Sequence, residues 1–299
     1  MALLVGALML MAGCSVRLDV PPDPVPSPGP AEQIRQAQAL ASEHLADLAT
    51  AAAGTAPADL APAMTEIATA AQTQLDALGG VWSPPPRPED PSPTAPGAAA
   101  PDDAAPAEVV SALVESATTA RAAVADPAVD PSLASVLSAI VVQREAAADH
   151  VAGLLGIDPG LAEPEPALPD TLTAAAAGLC RTLDALGYAG ETLAARSGGE
   201  ERSRAAQQAR ADRDLSERIA VAAGLAGTAS DPREASYAVD DPEQDMATWR
   251  AALVTGWLAQ VPAAEPGERA GVLDHARLAA RTAPPDHTEA LTGQTPTGD

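Results

Sequence analysis

Apolar residues recur along the chain at the three-to-four-residue spacing of amphipathic helices, in stretches divided by proline and glycine. Residues 31–53 set Ile34, Ala37, Ala41, Leu45, Leu48 and Ala52 on one face. Residues 58–78 repeat the stripe with Leu60, Met64, Ile67, Ala71, Leu75 and Leu78, and Gly79 and Gly80 stop it. A third helix is predicted over 107–125 (Val110, Leu113, Val114, Ala117, Val124). A fourth, over 131–155, is opened by Asp130 as cap and Pro131 in the first turn, and carries Leu133, Leu137, Ile140, Ala147, Val151 and Leu154. Residues 167–196 follow with Leu172, Leu179, Leu183, Leu186 and Leu193, interrupted by Gly187 and Gly190 as kink points. A charged helix over about 200–226 ends on Leu215, Ile219, Ala222 and Ala226. Asp241 and Pro242 start a seventh, with Met246, Trp249, Leu253 and Trp257, and the last runs from Pro266 to Arg281. Sustained β-branched alternation occurs nowhere, so the pattern predicts an all-α protein.

Both halves of the chain follow one rhythm: helix, turn, helix, long connection, helix, turn, helix. Short turns make antiparallel neighbours, whereas a connection of 15 or more residues lets the chain travel the length of a ~30 Å helix and re-enter from the same end. The reading is therefore two four-helix bundles of ferritin-like topology, each with a long crossover between its second and third helices. The bundles are expected over 31–156, with the crossover at 83–106, and over 170–282, joined by a linker at 157–169 and followed by a tail at 283–299. The 83–106 segment holds nine prolines in 24 residues, which excludes helix and central strand. A lone hairpin over 31–78 beside a cheap proline loop is the alternative.

The N-terminus has a different pattern. Ala2 to Gly13 carry no charge, too short a run to span a bilayer, which needs about 20 residues, but the length of a secretory h-region. Met11-Ala12-Gly13-Cys14 resembles the lipobox of bacterial lipoproteins, which implies a signal peptide over 1–13 and a lipidated Cys14. Met11 stands where Leu is usual, and no basic residue precedes the cysteine. A chance apolar N-terminus with a free thiol is the other reading. The proline-rich 14–30 would then be a tether from the membrane to the folded part.

Composition narrows the function. Formal charge is −24, from 17 basic residues, all arginine, against 41 acidic ones, so phosphate backbones repel the chain and nucleic acid is excluded as a partner. Aromatic content is 2 % with no Phe, so the cores are built from Ala, Leu, Val and Ile and are thin. With Cys14 lipidated, Cys180 is the one remaining thiol, and its place in an apolar helix reads as packing rather than nucleophile.

"GYAGETLAAR", "QQARADRDL", "REASYAVDDP" and "WRAALVTGWLA" resemble, in that order, the actinobacterial ferritin-like domain family of unknown function, and residues 13–48 resemble the start of a group of actinobacterial lipoproteins. Tyr188, Arg196, Arg210, Arg213, Asp214, Tyr237 and Trp249 are the matching positions. Family members often carry an acid and a histidine in the helix leading to the tyrosine; here Leu183 and Asp184 stand in that region. The resemblance implies the fold and leaves the chemistry open.

A ferritin-like bundle raises a di-iron site, which needs a Glu-x-x-His pair on two helices. No such pair occurs. The first four helices offer Glu43, Glu66, Glu115 and Glu145, all more than 90° from their apolar stripes by helical counting, and His44 and His150 fall on the flanks. Metal and cofactor are therefore expected to be none. Two charges do lie on core-facing stripes, Arg144 and Asp212, each requiring a partner or a route to water. Arg250 is the candidate partner of Asp212, as a buried polar pair. For both the choices are a polar pocket, or snorkelling or a structural ion pair. No phosphate loop, G-x-S-x-G or CxxC motif is present. The expected function is a non-catalytic binding or scaffold module on the extracytoplasmic face of the cell membrane. It would be held there by lipid, with another envelope protein or a small molecule as partner. The alternative is a metal-handling or redox protein of the ferritin-like group.

Overall fold

A computed structural model describes residues 28–82 and 103–283. Cys14, the tether up to residue 27, residues 83–102 of the crossover and the tail from 284 lie outside the described residues. Among the described residues regular structure is all helical: α1 Pro30–Thr55, α2 Ala61–Ala77, α3 Pro106–Val124, α4 Pro131–Leu155, α5 Ala176–Arg196, α6 Gly199–Ala222, α7 Pro242–Leu258, a 3-10 turn Val261–Ala263, and α8 Arg269–Thr282. None of these helices is long and apolar enough to cross a membrane.

Helix ends are set by the local chemistry. Asp130 accepts a hydrogen bond from the Leu133 amide at 2.9 Å, and Asp241 accepts from the amides of Glu243 and Gln244, each satisfying donors that a helix start leaves bare. At the end of α2, Gly79 and Gly80 take φ of 80° and 75°, a region that penalises a Cβ. The fifth helix starts later than the apolar pattern predicts. Residues 167–175 instead run beside α8, with the amides of Ala167, Asp170 and Thr173 donating to Gly271 O, Glu268 Oε1 and Gln260 Oε1. Pro164, Pro166 and Pro169 deny this stretch helical bonds, and acceptors from α8 and the preceding turn replace them.

In the first half α1 packs on α2, α3 on α4, and α1 on α3, while α2 and α4 touch only lightly. The start of α1 meets the end of α2, where Arg35 Nη1 donates to the carbonyls of Leu78 and Gly80. The end of α1 meets the approach to α3, where Thr55 donates to Ala104 O at 3.0 Å. In the second half α5 lies between α6 and α7, and α7 packs on α8. Gly187 and Gly190 do not interrupt α5, which is one α-helix from Ala176 to Arg196. They let α6 approach: a Cβ on Gly187 would stand 3.1 Å from Ala209 O and against the Arg213 side chain, and one on Gly190 would be 3.0 Å from Ala209 Cβ.

The halves share a core. Helix α8 and the 3-10 turn dock on α4, and one apolar cluster runs from Leu78 and Val124 through Leu137 and Val141 to Leu186, Trp257 and Leu273. Residues 140–145 of α4 are consequently buried on every side. Alanine buries little area per residue, so joining the halves supplies apolar contact that either set of thin-cored helices lacks alone.

Candidate functional site

The light contact between α2 and α4 leaves a cleft of about 1000 Å³ entering the first four helices. Its walls carry Ile67 and Ala70 from α2 and Ala147 and Val151 from α4, with Thr65, Thr69 and Thr73 of α2, whose hydroxyls donate to their own helix backbone, and it reaches in to Leu45 of α1 and Leu113 of α3. Gln74, Gln143 and Arg144 are the buried polar residues of its lining, while Glu66, Asp149, His150 and Arg281 also border it.

Arg144 is 1 % exposed, so it neither snorkels nor reaches water. Nor does it form an ion pair among the described residues. Its Nε donates to Gln74 Oε1 at 2.9 Å, Nη1 to Gln38 Oε1 at 3.2 Å and Ser116 O at 3.3 Å, and Nη2 to Ser42 Oγ at 2.8 Å. All four helices thus contribute to one network, and Gln74 Nε2 extends it to Gln143 Oε1 at 2.6 Å. Burial pulls the guanidinium down to about 10, which leaves it a cation at neutral pH. Its partners satisfy hydrogen bonds and leave its charge uncompensated.

The adjacent Glu145 turns the opposite way. Helical counting directs it to water, yet it is 3 % exposed because α8 covers that face of α4. Arg121 donates to both its oxygens at 3.0 to 3.1 Å, and Arg277 Nε lies 3.3 Å away. Arg121 also bridges to Asp274 at 2.6 Å, tying α3, α4 and α8 together. Burial raises the Glu145 carboxyl above its usual range, and the two arginines offset this only in part. Glu43, Glu66, Glu115, His44 and His150 are exposed. Among the described residues no group of three or more His, Cys, Asp or Glu is placed to hold a metal ion.

A second polar cluster lies on α5. Asp184, 5 % exposed, accepts from Arg213 Nη1 and from the Tyr237 hydroxyl, both at 2.9 Å. The Tyr237 oxygen in turn accepts from the Glu234 amide at 3.1 Å, and burial is the main cause that pushes its hydroxyl up to about 12. Tyr237 meets Tyr188 and Trp249 edge-on, with ring centroids 5.9 and 6.4 Å away. Of the seven family-matching positions, Arg213 and Tyr237 bind Asp184 and Tyr188 and Trp249 pack on the Tyr237 ring, while Arg196, Arg210 and Asp214 are exposed. The cluster fastens the connection between α6 and α7 onto α5. Asp184 was legible as a residue sharing a face with Cys180, Gly187 and Gly190, the narrow side of α5 that meets α6.

The candidate pair Asp212 and Arg250 is not a buried ion pair. Both side chains are half-buried and no ion pair within 4 Å joins them; Asp212 instead accepts from Gln208 at 2.9 Å. Burial raises its carboxyl, and Gln208 and the Arg250 charge lower it in part. The stripe of α6 is rotated from the predicted one: Ala209, Ser216, Ile219 and Ala220 are buried, because small residues match the glycine face of α5. Cys180 sits in that contact, 3.4 Å from Ser216 Oγ, and burial pushes its thiol up, so it packs rather than reacts.

Comparison with protein-family models, curated proteins and solved structures finds no match. Among the described residues the geometry is that of a helical protein with a cleft lined by a buried cation that has only neutral partners, an arrangement that can hold a ligand and has no paired nucleophile and base around it.

Proposed function

We propose that this protein is a non-catalytic ligand-binding module of the cell envelope, anchored on the extracytoplasmic face of the membrane by lipid on Cys14, which holds a small molecule between α2 and α4. The observation that carries the reading is the cleft of about 1000 Å³, at the upper end of the usual range for ligand sites. The charge-free run, the small residues before Cys14 and the proline tether support the anchor. An envelope protein as second partner fits the same location.

The fold in this proposal is a pair of ferritin-like sets of four. Two contacts support the first. Leu78 at the end of α2 lies by the start of α1, and Ala104 before α3 lies by the end of α1, so α2 and α3 run the same way with the long connection between them. In the second set Gly256 of α7 meets Leu179 of α5, and the α5·α6, α7·α8 and α5·α7 contacts repeat α1·α2, α3·α4 and α1·α3. The α2/α4 edge of the first set is the loose one, which is where the cleft opens.

N-phenyl-1-naphthylamine, a neutral probe that fluoresces in apolar sites, tests the cleft. The full chain should bind it and Ala70→Trp, which fills the cleft from α2, should not. Equal binding by the two chains, or none by the wild type, overturns the reading.

A further inference from the structure

We propose that the α2–α4 cleft takes a single-chain amphiphile with a carboxylate head, bound head inward on Arg144 and Gln143 with its chain along Ile67, Ala70, Ala147 and Val151; this rests on the cleft being a ligand site. Three observations identify the head. Arg144 is buried at the inner part of the cleft, its partners among the described residues are all neutral, and these use four of its five N–H groups. The one carboxylate beside it in sequence, Glu145, faces Arg121 and Arg277 on the other side of α4. Gln143, which also lines the cleft, spends its carbonyl oxygen on Gln74, and its amide nitrogen meets no acceptor among the described residues. Both residues line the cleft, one bringing a cation and the other an amide donor, the two kinds of group that a carboxylate pairs with.

Orientation follows from the rim. The other arginine of the cleft, Arg281, already faces Asp149 at 3.9 Å and Glu163 at 3.8 Å, and Glu66 adds a further negative charge at the cleft. A carboxylate at the mouth is repelled or finds its cation shared, whereas at Arg144 it meets a full positive charge in low dielectric. The tail identity follows from the walls, which are aliphatic at the positions named, with the small Ala70 and Ala147 alternating with Ile67 and Val151, so that they offer an apolar track to an alkyl chain. With a formal charge of −24, the chain as a whole disfavours polyanions, which leaves a monoanion as the fitting ligand.

Competition against bound N-phenyl-1-naphthylamine tests this on the full chain, with decanoate, 1-decanol, decyl phosphate, decyltrimethylammonium and acetate. Decanoate should displace the probe at about tenfold lower concentration than decanol, and the cationic amphiphile and acetate should not displace it. Arg144→Gln should retain the probe and lose the preference for decanoate over decanol. If Arg144→Gln does not fold, Gln143→Ala, which leaves the cation in place, should reduce that preference about threefold or more. Decanoate and decanol of equal strength, a preference unchanged in both variants, or decyl phosphate stronger than decanoate overturns the carboxylate while probe binding still upholds the cleft. No binding of probe or amphiphile by the intact chain overturns both and leaves the cleft to a protein segment.

Discussion

His275 on α8 stacks on Trp257 of α7 with ring centroids 4.1 Å apart and planes 8° apart. The imidazole is 7 % exposed, and burial is the main reason its pKa falls from 6.5 to about 4; Arg218 pushes in the same direction and Asp274 against it. Between those values the unfolded chain binds more protons than the folded one. The contribution of His275 is therefore fully present above about pH 6.5 and is lost as pH falls toward 4. At pH 4.5 the loss integrates to about 2.5 kcal/mol. His275→Phe keeps a flat ring against Trp257 and removes the titration. Urea unfolding of both chains at pH 7.5 and 4.5 isolates the effect, because carboxylates that titrate in this range are common to both and cancel in the difference. The wild type should lose about 2.5 kcal/mol more than His275→Phe on acidification. Losses that agree to within about 0.5 kcal/mol would refute the claim that a neutral imidazole is what the α7–α8 contact requires.

Glu145→Ala leaves Arg121 and Arg277 facing each other without the acid between them, and should cost about 3 kcal/mol in urea unfolding; a cost below about 1 kcal/mol would show that the buried network does not hold α8 on α4. Gly187→Ala drives a methyl onto the Ala209 carbonyl and Arg213, and should lower stability by about 1–3 kcal/mol. Gly178→Ala, with nothing within 4 Å of the added carbon, should be neutral or stabilising, and equal losses in the two variants would sink the close-packing account of α5 and α6.

Local chemistry written in the sequence determined the helices and those of their ends that carry a cap or a stop. Apolar period, Asp130 and Asp241 as caps and Gly79 with Gly80 as a stop each act within a few residues, so they are legible without knowing any neighbour. The same counting placed Arg144 inward and Glu43, Glu66 and Glu115 outward, which agrees with their burial. Tertiary packing decided the rest. Counting at 100° per residue identifies the more apolar side of one helix, but not how many neighbours that helix acquires. Glu145 lies opposite the stripe of α4 and is buried because α8 lands there, and Asp212 lies on the stripe of α6 yet stays half-buried because α6 turns its small residues to α5. The cleft belongs to the same class. It exists because α2 and α4 fail to close, a relation between two surfaces that neither surface encodes alone.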